Sequence, residues 1–251
     1  MSSLGAAIAP VIPYLGTFLA YLCRTTAFLH TAPFVSERVV PRKARLAFAI
    51  LFAAAMTGVR GEASLATIPG IAAAELLLGA ACGLALRFGV AAIEAGGDLI
   101  GLHVGIGFAA TVDPLNGEQS MPTAKLAFAI AGLAFFATGG PTSAIRVLAA
   151  PPPGISPTAG MARVLIDHSA TILPHAVRLA APVIVASVVG NVALALASRA
   201  APALNIFSVA FSGILILGGI ALLLSVPMFG AEIHAALQRG EDLIARVVGS
   251  L

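Results

Sequence analysis

The sequence predicts an all-α protein held in or against a membrane, built from helical hairpins, and three observations predict it. First, 59% of the residues are hydrophobic and only 10% are charged, with a mean hydropathy of +1.01. Soluble domains carry about 25% charged residues, so a solvated globule is excluded. Second, residues 179–198, 126–145 and 200–231 contain no Asp, Glu, Lys or Arg, in runs of 20, 20 and 32. A membrane-spanning helix needs about 20 apolar residues. Third, the bulk is Ala, Leu, Gly, Val and Ile without any Trp, a composition suited to close helix–helix packing.

Taken in order, the chain reads as seven or eight helical segments in one unit over residues 1–251. The first helix runs from about Leu4 to Arg24. Residues 1–23 hold no positive charge, so the basic start of a signal peptide is absent. A polar hinge follows, Ser36-Glu37-Arg38-Val39-Val40-Pro41-Arg42-Lys43, a basic cluster of the kind that anchors one side of a membrane protein. Leu46 to Val59 is hydrophobic, but its 14 residues between Arg45 and Arg60 are short for a span. A long helix comes next, about Ile68 to Ile93, with Pro69 in its first turn.

Thr123 to Thr138 forms another helix, stopped by Gly139-Gly140-Pro141. The segment Ala149-Ala150-Pro151-Pro152-Pro153-Gly154 is an extended connector. Residues 158–178, with Arg163, Asp167, His168, His175 and Arg178, read as an amphipathic helix. Pro182 to Ala197 and Leu204 to Val226 are strongly hydrophobic and joined by a short turn, which predicts a helical hairpin. The tail, Glu232 to Val248, is amphipathic and charged.

The segment Ala95 to Pro122, AGGDLIGLHVGIGFAATVDPLNGEQSMP, breaks this pattern. Unpaired backbone in lipid costs several kcal/mol per group, so Asp113 to Met121 must face protein, water or a pore. Gly105, Gly107 and Gly117 permit close approach or unusual dihedrals, and Pro114 and Pro122 each drive the preceding residue out of helical geometry. Asp113 before Pro114 favours a turn. Gly101-x-x-x-Gly105 matches the small-residue packing pattern. Four ionisable residues, Glu75, Arg87, Glu94 and Asp98, lie in or beside apolar sequence, where such groups require a partner or a water-filled cavity.

Enzymatic chemistry has no foothold in this pattern. The five histidines show no spacing that places metal ligands on one helix face, so neither a metal nor another cofactor is expected. No nucleophile elbow or phosphate-cradling loop occurs. The net charge of +3 is scattered, without a basic stripe, which argues against nucleic acid as a partner. Cys23 and Cys82 sit in apolar runs and are expected as free thiols. A self-contained transporter is one reading of the Gly/Pro-interrupted segment 95–122, although no second half of the chain echoes that segment.

Four blocks in order resemble the FliR family, the R component of the flagellar and type III secretion export gate. They are Thr31-Ala32-Pro33 with Ser36-Glu37-Arg38 and Pro41; Ile100-Gly101-Leu102, Gly105, Phe108-Ala109 and Asp113-Pro114; Ala180-Ala181-Pro182-Val183; and Arg199-Ala200-Ala201-Pro202-Ala203-Leu204-Asn205-Ile206-Phe207-Ser208-Val209. The last of these favours the flagellar system. The resemblance implies helices packed in a multi-subunit assembly with P, Q and B components in the bacterial inner membrane, at the flagellar basal body, through which unfolded export substrates pass. It also implies that Pro33, Glu37, Arg38, Pro182, Pro202, Asn205 and Phe207 pack against partners. The loop at 107–122, with Gly107, Phe108, Asp113, Pro114, Gly117 and Met121, corresponds to the family's channel plug. Packing against partners rather than lipid would also explain the short 46–59 stretch. The chain departs from the family at Thr138-Gly139-Gly140-Pro141, where Asn-Gly-His is frequent, at His103 in place of Gln, and at Ala203 in place of Gln.

Overall fold

A computed structural model describes residues 12–36, 40–60, 68–105, 121–149, 159–200, 212–213 and 215–223, with scattered positions from 230 to 242. Among these residues all regular structure is α-helical and no strand occurs. The helices are α1 (Ile12–Thr31), α2 (Arg42–Arg60), α3 (Ile68–Val104), α4 (Pro122–Ala137), α5 (Gly140–Leu148), α6 (Ala159–Ser169) and α7 (Ile172–Ala200), with further helix over 215–223.

The starts follow local chemistry. Pro122 opens α4 and Pro141 lies in the first turn of α5, where a missing N–H costs nothing. Pro41 caps α2 with its carbonyl, which accepts from Ala44 N at 3.0 Å and Arg45 N at 3.2 Å. The stops need left-handed residues. Gly105 at φ 85° ends α3, and Gly139 at φ 83° separates α4 from α5, a conformation open to glycine at little cost. After α1, Phe34 takes φ 65° as Val35 N donates to Pro33 O at 2.8 Å, a tight three-residue turn that strains a non-glycine residue.

Three boundaries differ from those read in the sequence. α1 continues through Arg24 to Thr31, because the charge there is neutralised inside the protein. α3 runs 37 residues, to Val104, passing through Gly96-Gly97 and taking in Glu94 and Asp98. Those glycines do not break the helix: a Cβ on Gly96 would overlap the Leu179 side chain, and one on Gly97 would lie 2.7 Å from Ala124 Cα. Pro182 sits inside α7 rather than at a helix start, and the amphipathic segment expected over 158–178 is divided between α6 and α7. An interior proline sacrifices one backbone hydrogen bond, yet the neighbouring Ala180 and Val183 are fully buried.

The chain forms two compact units: residues 1–88 with 138–169 and 238–251, and residues 89–137 with 170–237. In the first, α2 lays the fully buried Ala49 and Ala53 inward, and it packs on α1. α1 also meets α3 at two glycines. A Cβ on Gly79 would overlap the Arg24 carbonyl, and one on Gly83 would come within 2.8 Å of Ala32 N and 3.0 Å of Phe28 O. Thr31 Oγ1 donates to Ala80 O at 3.2 Å across the same seam. Position rises along both helices together, so α1 and α3 run parallel.

In the second unit Ile100 and Val104 of α3 form a core with Ala180 and Val183 of α7, covered by Leu99, Ile184, Ala221 and Leu222. Gly190 faces Leu217 while Gly213 faces Leu194, so the end of α7 and the helix at 215–223 are antiparallel, the hairpin expected from sequence. Ala72–Val104 and Ala162–Ala200 are long and apolar enough to cross a membrane, with a third crossing if α4 and α5 count as one broken span. In the most apolar 18-residue window, 61% of the first is buried within the chain but only 28% of the second, so the second leaves most of its surface to its surroundings.

Helices in lipid associate by close packing rather than by water exclusion, so the glycine seams carry the fold. Gly79→Ala should lower the melting temperature of the purified protein in detergent, because the added methyl meets backbone. Gly58→Ala, on the exposed side of α2 with nothing within 4 Å, should instead stabilise by up to about 1 kcal/mol through helix propensity.

Candidate functional site

The first unit holds a buried charge cluster. Arg24 of α1 and Glu75 of α3 are each 1% exposed and form a two-pronged ion pair, with Nε donating to Oε2 at 2.5 Å and Nη2 donating to Oε1 at 2.9 Å. Arg24 Nη1 donates to Leu148 O at 3.1 Å. Leu148 is the last residue of α5, whose terminal carbonyls lack intrahelical partners and carry the negative end of the helix dipole. The guanidinium also lies 5.3 Å from the Tyr21 ring centroid, one turn earlier on α1. One side chain thus joins three helices. Sealed and mutually satisfied, the pair offers no exposed acid, base or nucleophile.

The second unit organises the base of the interrupted segment. Residues 106–120 lie outside the described structure, and with them Gly107, Phe108, Asp113, Pro114 and Gly117. Their flanks are defined. Gly105 N donates to Leu102 O at 3.3 Å as α3 ends. Met121 precedes Pro122, and its carbonyl accepts from Ala124 N at 3.0 Å and Lys125 N at 3.1 Å, so it caps α4. The Met121 N–H donates to Asp98 Oδ1 at 3.1 Å, which sets a carboxylate at the positive end of the α4 dipole. A Cβ on Gly101 would lie 3.2 Å from Met121 Cβ, so the half-buried Met121 rests on α3 one turn below Gly105. The sequence singled out Gly101 and Gly105 as a packing pair. In the structure Gly97 and Gly101 make the close contact, and Gly105 serves the turn.

His103 lies on the same part of α3. Ser187 Oγ donates its single proton to Ile184 O at 2.8 Å, so its 2.8 Å contact with His103 Nδ1 is an Nδ1–H donating to the hydroxyl oxygen. Of the other residues singled out in the sequence, Arg87 and Glu94 are half-buried on α3 and each makes an interaction of its own. Pro33 is buried after α1, and Pro182 is half-buried in α7. Glu37, Arg38, Pro202, Asn205 and Phe207 lie outside the described residues. Cys23 and Cys82 are free thiols. Among the described residues no group of His, Cys, Asp or Glu could hold a metal ion.

Sequence reasoning named Glu75 but passed over Arg24, which it took for a helix end. A signal was present: Arg24 is the only charged residue before Glu37, and Glu75 the only one between Glu62 and Arg87. Two lone opposite charges in apolar helices point to each other. Nothing in sequence marked the Leu148 carbonyl or the His103–Ser187 contact.

Removing one member of a buried pair leaves an uncompensated charge and costs about 3–5 kcal/mol, whereas replacing both with apolar groups is often neutral. Glu75→Ala should therefore sharply reduce thermal stability in detergent, and the double substitution Arg24→Met with Glu75→Leu should restore most of it. Asp98→Ala should fray the start of α4 by about 1 kcal/mol, read as roughly fivefold faster amide exchange at Met121, Ala124 and Lys125. Asp98→Asn keeps an acceptor and should do less.

Comparison with known proteins accounts for nearly the whole chain. A family model described as "Bacterial export proteins, family 1" matches residues 15–240, which include Arg24, Glu75, Asp98 and Met121. The chain is 27% identical over 249 residues to the flagellar biosynthetic protein FliR of Escherichia coli K12, covering 96% of this chain and 95% of that protein. It is 31% identical over 232 residues to FliR of Aquifex aeolicus, covering 86% and 87%. With FliR of Caulobacter vibrioides it shares 28% identity over 214 residues, covering 81% and 85%. The chain belongs to the bacterial export proteins of family 1, in the FliR group of flagellar biosynthetic proteins.

Proposed function

We propose that this chain is a non-enzymatic subunit of the flagellar, type III protein export gate in the bacterial inner membrane at the basal body. It acts as one export-gate domain, assembles with P, Q and B components, and helps to close the channel to unfolded substrates through the loop at 107–122. The observation that carries this reading is the family match across residues 15–240, which contains both the loop and the helices that flank it.

The flanking geometry supports a gating role. Gly105 and Met121, the residues on either side of segment 106–120, both lie against the last turns of α3, Met121 being fastened there by Asp98 and seated beside Gly101. A segment that leaves and returns on one rigid helix can obstruct a passage without disturbing the packing beneath it. In this reading Phe108 and Met121 supply the apolar contacts that exclude water, Asp113 before Pro114 orients the turn, and Gly107 and Gly117 allow the loop to change conformation.

Purification of the tagged chain from its host should recover P- and Q-type gate components in a defined complex. Deleting residues 110–120 should raise ion leakage through that complex. Unchanged conductance in a correctly assembled complex would remove the plug assignment, and a stable chain that transports by itself in liposomes would establish the transporter alternative instead.

A further inference from the structure

α2 is built inside out. Its fully buried residues are the small Ala49 and Ala53, while Leu46, Phe48, Ile50, Leu51 and Val59 are 43–73% exposed. A helix on a water-soluble protein shows the reverse, with bulky apolar groups turned to the core. Ala44, Ala47, Ala54 and Ala55 are exposed as well, so from Leu46 to Ala55 the outward face presents no side-chain hydrogen-bonding group. Thr57 lies on the inner flank and donates to Ala53 O at 2.7 Å.

The charge on this helix is one-sided. Arg42, Lys43, Arg45 and Arg60 are its only ionisable residues, and its first turn contains no acid. Three cations therefore sit at the positive end of the helix dipole, where each costs stability unless an anion is present. Arg42 and Lys43 are exposed. Arg45 holds Ser36 O through Nη1 at 3.4 Å, but its buried Nε has no hydrogen-bond acceptor.

We propose that the outward face of α2 docks on anionic phospholipid, with Arg42, Lys43 and Arg45 binding phosphate headgroups and Phe48, Ile50 and Leu51 lying along the acyl chains. Charge complementarity selects this occupant, since the cations border the apolar band and none interrupts it. Length agrees. The 14 residues from Leu46 to Val59 span about 21 Å at 1.5 Å each, short of the roughly 30 Å hydrocarbon core. Basic residues at both ends suit such a deficit, because long cationic side chains can reach outward to the headgroups. A protein partner would be expected to supply hydrogen bonds about every 100–200 Å², and the exposed apolar band from Leu46 to Ala55 offers no side-chain group to meet them.

The test uses the full chain in its purified complex, stripped of lipid and titrated with phosphatidylglycerol or phosphatidylcholine under native mass spectrometry. The intact complex should retain phosphatidylglycerol preferentially. The triple variant Arg42→Gln, Lys43→Gln, Arg45→Gln should weaken that retention about a hundredfold, at about fivefold per basic residue. Arg42→Lys with Arg45→Lys should keep it, as should the control Arg146→Gln with Arg163→Gln. Equal binding of the two lipids, or full retention by the triple variant, would overturn the proposal. Should the triple variant fail to assemble, a photoreactive phosphatidylglycerol applied to the intact complex decides: labelling within residues 42–55 supports lipid docking, and α2 crosslinked only to another subunit refutes it.

Discussion

The buried ion pair between Arg24 and Glu75 is the constraint around which the first unit is arranged. Two charges removed from water keep their ionisation only where the geometry is close and the remaining donors are satisfied, and such a pair tolerates little displacement. Glu75, Gly79 and Gly83 follow one another at i, i+4 and i+8, so they share a face of α3. The pair fixes the register of α1 on that face, and the two glycines then let the α1 backbone approach. A side chain at Gly79 would hold the helices apart at the carbonyl of Arg24 itself. Charge and absence of bulk thus act together, and Leu148 adds α5 by lending its carbonyl to the same guanidinium.

Much of the fold could be read from sequence because membrane proteins state their class in composition and their breaks in Gly and Pro. The opening of α4 at Pro122, its stop at Gly139 and the hairpin of α7 with 215–223 all followed from local signals. The misread boundaries share one cause. Arg24, Gly96-Gly97 and Pro182 each resemble a helix border in water, and each lies inside a helix here. Gly96 and Gly97 weaken an isolated helix, but as close-contact points they permit packing that outweighs the loss. The candidate site divided in the same way. Glu75 and Asp98 stood out as charges in apolar sequence, but their partners are a side chain 51 residues away and a backbone amide 23 residues away, separations that no local pattern encodes.

Polar groups on α3 are served by the chain itself. Glu75 has Arg24, Asp98 has the Met121 amide, His103 has Ser187, and neither Arg87 nor Glu94 is free. A helix of 37 residues measures about 55 Å, well beyond the roughly 30 Å hydrocarbon core, and could not keep all these groups in headgroup regions. Internal pairing removes that requirement. It also separates two tasks, because these polar groups find partners within the folded single chain, while the bulky apolar residues facing outward, such as Leu102, Leu133, Val189 and Leu196, await an apolar surrounding.

This division bears on how the proposed gate subunit can move without coming apart. Any conformational change must leave buried charges paired, since exposing one to lipid costs several kcal/mol. The described contacts place the ion pair on the first half of α3 and the flanks of segment 106–120 on its last turns, with Glu75 and Asp98 separated by 23 positions in the sequence. Near the second position the fastening seen among the described residues is one hydrogen bond and a side chain resting on glycine, interactions worth roughly 1 kcal/mol each in net terms. At the first it is a multiply bonded ion pair whose rupture costs about 3–5 kcal/mol. Displacing the flanks of segment 106–120 is therefore less costly than unlocking α1 from α3.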